Sequence, residues 1–431
     1  MANSYLSKTF GTPTDTKKYT MSVWVKRCSI SVQQSIARST NGNDDSHVFT
    51  FNSDDSLRWD EYGSSSTIGT LKTNRKFRDT SAWYHVVLWY DSANSTAGDR
   101  MRMWINGVEE TSFATDTNPS VNAASAFNKA SQPINIGRTS YSGGGNYFDG
   151  YLSHMAFVDG ANGAHTTFGE TDSTSGIWSF KSPTGITWGT NGFHLKFENS
   201  SNLGVDSSSN ASNWTVNGNL KQALDTPSNV YCTLNPLDKY AAALTNGNTT
   251  VTNENNNQTI VMSTLAVNSG KWYWEAKVKD SDSDTFNVGI RKTGLNNYAV
   301  TGASYAANAW VYATDGNIYS GGSSILNTGT TATVGDIIGF ILDMDAGTLK
   351  LQKNGADIYS GNAVVSSLNT GDHYHIVQGA SQAIVDFNFG NGFFGTTAIT
   401  SAGSNGNGSL FEYDVASNHY AINTKNINTY G

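Results

Sequence analysis

Val334–Gly355 reads VGDIIGFILDMDAGTLKLQKNG, and this stretch decides the fold class. Ile337 to Met344 is a continuous apolar run of strand length, apolar on both faces, as in a central strand covered from two sides. Asp345-Ala346-Gly347 interrupts it with turn residues. Leu349 and Leu351 then alternate with Lys350 and Gln352, the pattern of a half-buried strand. Asn354-Gly355 closes the next turn, and Asn-Gly between alternating segments is a strong hairpin signal. The stretch predicts antiparallel β-structure.

The same pattern recurs along the chain. Thr20–Arg27, Val48–Phe51, Leu57–Trp59, Trp83–Tyr90, Met101–Ile105, Ile134–Gly137 and Tyr151–Val158 are expected as strands. Asn106-Gly107 and Asp149-Gly150 supply turns. Phe193–Phe197 is a further strand. Trp272, Trp274, Ala276 and Val278 alternate with Tyr273, Glu275, Lys277 and Lys279, and Phe286–Ile290, Trp310–Tyr312 and Ile384–Phe389 follow. Trp83, Trp89, Trp272 and Trp274 lie in strong strands and are expected in the core. No convincing amphipathic helix appears in the first half.

Composition sets outer bounds. With 431 residues the chain exceeds one ordinary core, so two or three domains are expected. Charged residues make up 14% and aromatics 12%, with 43 glycines, which suits short strands joined by polar turns. A net charge of -8 argues against nucleic acid as the main partner. No apolar run reaches the roughly 18 residues of a membrane helix, and the N-terminus lacks the apolar segment of a signal peptide. Synthesis in a cytoplasm without membrane insertion is therefore expected. Cys28 and Cys232 are far apart and are expected as buried thiols.

Two blocks of the first half, WYHVVLWYDSANSTAGDRMRMWINGVEE and INIGRTSYSGGGNYFDGYLSHMAFVDG, resemble laminin-G-like domains of the concanavalin A-like class. GKWYWEAKV, FNVGI, VGDIIGFILDMDAGTLKLQKNG and VDFNFG, in that order, resemble a SPRY domain. The resemblance implies an all-β protein of two tandem concanavalin A-like jelly-roll sandwiches. Residues 1–160 would form the first sandwich, 161–234 a connector with an extra strand, 235–395 the SPRY-like sandwich and 396–431 a C-terminal tail. The combination resembles structural proteins of marine bacteriophages described as tail-fibre or appendage proteins. It implies a virion protein with other virion proteins as partners, host-surface glycans as a further partner, and homo-oligomers on the particle.

Catalysis finds little support in the residues. Glucanases of this class carry E-x-D-x-x-E or E-x-D-x-E on one strand, so that one carboxylate attacks and another protonates. Glu170 and Asp172 match only its beginning, in a polar connector, and no catalytic residue is assigned. His373 and His375 are expected as a hydrogen-bonding pair rather than a metal site. Asp44-Asp45 and Asp54-Asp55 have oxygens suited to calcium but no spaced ligand loop, so no cofactor is assigned. Aromatic residues at strand ends carry the functional expectation. Trp59, Tyr62, Tyr141, Tyr147, Tyr298 and Trp310 neighbour Gly, Asn and Ser and are the candidate glycan contacts. The leading expectation is non-enzymatic glycan attachment. Capsid decoration or fibre anchoring is the alternative, with a glycan depolymerase third.

Overall fold

The protein is described by a computed structural model covering residues 4–40, 45–139, 145–252, 259–281, 286–294, 308–380 and 383–431. The chain divides into two compact units, 2–222 and 223–431. Each is a pair of antiparallel sheets enclosing its own apolar core.

In the first unit an eight-stranded sheet faces a six-stranded one. The six-stranded sheet runs in the order Phe193–Leu195, Gly150–Asp159, Lys18–Arg27, Tyr84–Asp91, Met101–Ile105, Val108–Glu109. Alternation along these strands fills the core: Tyr19, Met21, Val23 and Val25 point inward with Val86, Leu88 and Tyr90, and with Met101, Met103 and Ile105. Residues beyond 160 belong to both sheets. Phe193–Leu195 pairs with Gly150–Asp159, and Thr215–Asn217 pairs with Tyr5–Thr9 at the edge of the larger sheet.

The opening stretch folds as its pattern dictates. Ile337–Asp343 pairs with Thr348–Lys353 on one side and with Lys271–Ser281 on the other. Ile338, Phe340 and Leu342 enter the core of the second unit, while Ile341 is buried on the opposite face. Both sides of this strand are covered, which is why its sequence lacks polar alternation.

The two Asn-Gly turns are built alike. Asn106 and Gly107 have φ of 49° and 77°, and Asn354 and Gly355 have 50° and 79°. Asn tolerates this left-handed region and Gly adopts it freely. Each Asn side-chain oxygen also accepts a backbone N–H at the strand start, from His85 at 2.7 Å and from Ile337 at 2.9 Å.

The C-terminal segment docks onto its own unit. Tyr420–Ala421 adds in parallel to Lys271–Ser281, and Thr424–Tyr430 is a short helix. Asn423 caps this helix by accepting from the Asn426 N–H. Cys28 and Cys232 are buried thiols. No helix among the described residues is long and apolar enough to cross a membrane.

Candidate functional site

The outward residues of the six-stranded sheet form an aromatic shelf in the first unit. Odd positions of Tyr84–Asp91 point away from the core, placing His85, Val87 and Trp89 on this face. Trp89 lies opposite Arg102, and Trp104 lies opposite both Val87 and Glu109. The Arg102 guanidinium sits 5.2 Å from the Trp89 ring and 5.0 Å from the Trp104 ring. Glu109 holds it in place through two charge-assisted bonds of 2.6 and 2.5 Å. His165 stacks on Trp104 at 5.3 Å and 11°. Trp89, Arg102, Glu109 and His165 remain partly exposed.

The shelf is rigid at its base. His85 stacks on Trp24 at 4.7 Å. Trp178 Nε1 donates to His85 Nδ1 at 2.9 Å, so His85 Nε2 carries the proton and donates to Ser22 Oγ at 2.8 Å. Burial, with His165 adding to it, pushes the imidazole down to about 3, and the ring is neutral at physiological pH. Trp178 approaches so closely that a Cβ on Gly107 would stand 2.4 Å from its ring. Gly107 therefore answers two demands, the left-handed turn and the indole above it.

The candidate aromatic residues separate in space. Trp59 is a correction. It is 0% exposed, packed against Tyr19 and Tyr90, and its ring offers no face to a ligand. The alternation of Ser56–Gly63 turns it inward, where a short sequence window suggested a strand end. Trp89 is a correction in the other sense: it faces outward on the shelf. Tyr62 is half-buried. Tyr147 is half-buried too, with its hydroxyl 3.5 Å from Arg138 Nη1 and its ring 6.5 Å from Tyr5. No ring contact joins Trp59, Tyr62 and Tyr147 to one another among the described residues. In the second unit Trp310 is half-buried against the core, 6.0 Å from Tyr374. Tyr141 and Tyr298 lie outside the described residues. Parity within WYHVVLWY and MRMWI was the signal for the shelf, because the inward set fixes the outward one.

Other polar candidates are engaged locally. Asp54 meets Lys72 and Lys76, each at 3.0 Å, and Asp55 meets Arg27 and Arg78, each at 3.0 Å. Carboxylates already neutralised by cations do not fit a calcium site. Asp44 and the Asp45 side chain lie outside the described residues. Glu170 pairs with Lys181 at 3.4 Å, and Asp172 closes its own turn through Ser175. His373 is exposed, and His375 Nδ1 lies 3.5 Å from Ser263 Oγ. Among the described residues no group of three His, Cys, Asp or Glu could hold a metal ion.

A buried glutamate sits in the first core. Glu61 and His47 are both 0% exposed. Glu61 Oε1 accepts from Tyr19 Oη at 2.5 Å and His47 Nδ1 at 3.0 Å, and Oε2 accepts from the Ala126 N–H at 2.6 Å. Burial alone would raise this carboxyl. The His47 ring, the Tyr19 hydroxyl and the Ala126 amide outweigh it and hold the carboxyl below the usual range.

Both units match known domain families. Residues 2–166 match the model of the concanavalin A-like lectin/glucanases superfamily, and residues 271–392 match the SPRY domain. Among solved structures, the SPRY domain of human HERC1 is 21% identical, with 36% of this chain and 96% of that one covered at a TM-score of 0.31. A human SPRY domain is 15% identical over 35% and 95%, at 0.28. A heptameric SAP-like pentraxin from Limulus polyphemus is 16% identical over 43% and 82%, at 0.31. No curated protein sequence matches the chain. Lectin-like and SPRY-type domains suggest a binding function.

Proposed function

We propose that the protein is a non-enzymatic surface component of a bacteriophage virion, a tail-fibre or appendage protein that attaches to host-surface glycans. The tandem of a laminin-G-like and a SPRY-like domain supports the virion setting by resemblance alone. The shelf of Trp89, Arg102, Trp104 and His165 carries the glycan reading. Aromatic faces receive the C–H patches of a sugar ring, while Arg102 and Glu109 meet its hydroxyls. Each shelf binds weakly, with Kd roughly millimolar. Homo-oligomers on the particle multiply it through linked sites.

The test is a titration of intrinsic tryptophan fluorescence with host polysaccharide, in the parent protein and in Trp89→Ala. The variant should bind about tenfold more weakly, a loss of roughly 1.4 kcal/mol, with an unchanged far-UV spectrum. Equal binding by both proteins would remove the shelf from the reading. The partly exposed indole of Trp89 also suits a second reading, a decoration or anchoring protein whose shelf packs on other virion proteins. Under that reading Trp89→Ala would be lost from assembled particles, with glycan affinity unchanged.

A further inference from the structure

The C-terminal segment closes over a buried carboxylate in the second unit. Tyr273, Glu275 and Lys277 point to the outer face of Lys271–Ser281, opposite the core-facing Trp272, Trp274 and Ala276. Phe411, Val415 and Ala421 cover this face and form a small apolar cluster with Tyr273, Ile341 and Tyr231. Glu275 lies beneath them, 0% exposed. Its Oε2 accepts from the Glu412 N–H at 3.0 Å and from Asn388 Nδ2 at 3.1 Å. Its Oε1 accepts from the Tyr413 N–H at 3.0 Å and Tyr273 Oη at 3.2 Å.

No cation balances it: among the described residues no ion pair reaches Glu275. Lys277, on the same face, has its Nζ over the Phe394 ring at 5.6 Å. On the neighbouring strand Asp386 bonds Thr250 at 2.5 Å and lies 3.7 Å from Lys279. The opposite strand presents Gly339 and Ile341. The covering segment adds Glu412, Tyr413 and Asp414, with Asp336 acting on Tyr413 and Tyr231 bonded to Ser409. The titratable groups around Glu275 are thus acidic or phenolic apart from Lys277 and Lys279 on its own strand, the latter beside Asp386, and His419 of the C-terminal segment, whose Nδ1 meets the Ser417 carbonyl at 3.0 Å.

We propose that Glu275 is a proton-linked latch: residues 409–415 seat over the eight-stranded sheet as its carboxyl takes up a proton, and lift as the proton leaves. Protonated Glu275 needs no counter-charge under the apolar cover. Ionised Glu275 regains water only if the cover opens. Burial pushes the carboxyl up to about 7, against the pull of the Glu412 and Tyr413 amides, Asn388 and Tyr273. The closed form therefore binds the proton more tightly than the open form, whose carboxyl titrates near the ordinary 4.5. Closure is firmest below that value and is lost as pH rises through about 7. Tyr420–Ala421 and the terminal helix hold the segment's far end.

Hydrogen exchange of the full chain, corrected for intrinsic rates, tests the latch between pH 4.5 and 8. Protection of the Glu412 and Tyr413 amides should fall by about tenfold per pH unit through the window and then level off. In Glu275→Gln the side chain is neutral throughout, and the step should vanish. A flat parent profile overturns the latch. So does protection that rises with pH, since the four donors would then be holding the ionised form. A pH step persisting in Glu275→Gln would assign the proton elsewhere and overturn it too. The parent profile decides the question even if the variant fails to fold.

Discussion

Among the described residues each unit buries one glutamate completely, and the two are treated in opposite ways. Glu61 lies between the sheets of the first unit, where the buried His47 ring meets it at 3.0 Å. Glu275 lies on the outer face of a sheet in the second unit, where only neutral donors meet it. Hydrogen-bond number does not separate them, since both are richly supplied. The imidazole neighbour does. With His47 present, the burial cost of Glu61 is outweighed and the carboxyl stays low; without an equivalent, burial wins at Glu275. Glu61 is an interior structural charge, and Glu275 is placed to respond to pH.

Removing the partner is the most damaging way to test this contrast. His47→Ala leaves Glu61 ionised in the core without its counterpart, and the first unit should lose about 3–5 kcal/mol. Urea unfolding followed by tryptophan emission reads the loss. A change below about 1 kcal/mol would mean that the Ala126 amide and Tyr19 suffice for Glu61. Tyr19→Phe removes one bond to a charged acceptor and should cost less, about 1.5–3 kcal/mol.

The pH dependence sharpens the contrast at smaller cost. Glu61 has a lowered carboxyl, so its contribution is present above the ordinary carboxylate range and lost as pH falls through its folded value. Glu275 has a raised one, so its contribution is present below 4.5 and lost as pH rises through about 7. Each slope is at most about 1.4 kcal/mol per pH unit. Scanning calorimetry from pH 2 to 8 should resolve two slopes of opposite sign, the Glu61 slope below about pH 4.5 and the Glu275 slope between 4.5 and about 7. Slopes of the same sign would break the comparison.

Much of this architecture was legible in the sequence. The doubly apolar Ile337–Met344 run and both Asn-Gly turns appear where the residues put them, because local chemistry decides them. Site residues were harder to place. Trp59 and Trp89 sit in similar apolar–polar contexts, and only pairing parity separates an indole in the core from one on the shelf. The outward role of Glu275 could be read from alternation along KWYWEAKVK. Its burial could not, because the cover comes from Phe411 to Val415, more than a hundred residues later.

The smallest predicted effect is also the most discriminating. Tyr273 donates to Glu275 at 3.2 Å, as Tyr19 donates to Glu61 at 2.5 Å. At pH 5 Glu275 holds its proton, so Tyr273→Phe removes a bond between neutral groups and should cost about 0.5–1.5 kcal/mol. At pH 8 the carboxylate is ionised and its cover has lifted, so water replaces the phenol as donor and the cost should fall below about 0.5 kcal/mol. The penalty should therefore shrink with rising pH for Tyr273→Phe. The tight approach of Gly339, where a Cβ would stand 2.6 Å from the Tyr273 hydroxyl, restricts movement of the ring and keeps the substitution local. Urea midpoints for Tyr273→Phe and the parent protein at pH 5 and pH 8 provide the measurement. A pH-independent cost at Tyr273 would place Glu275 beside Glu61 as a second permanently ionised core charge.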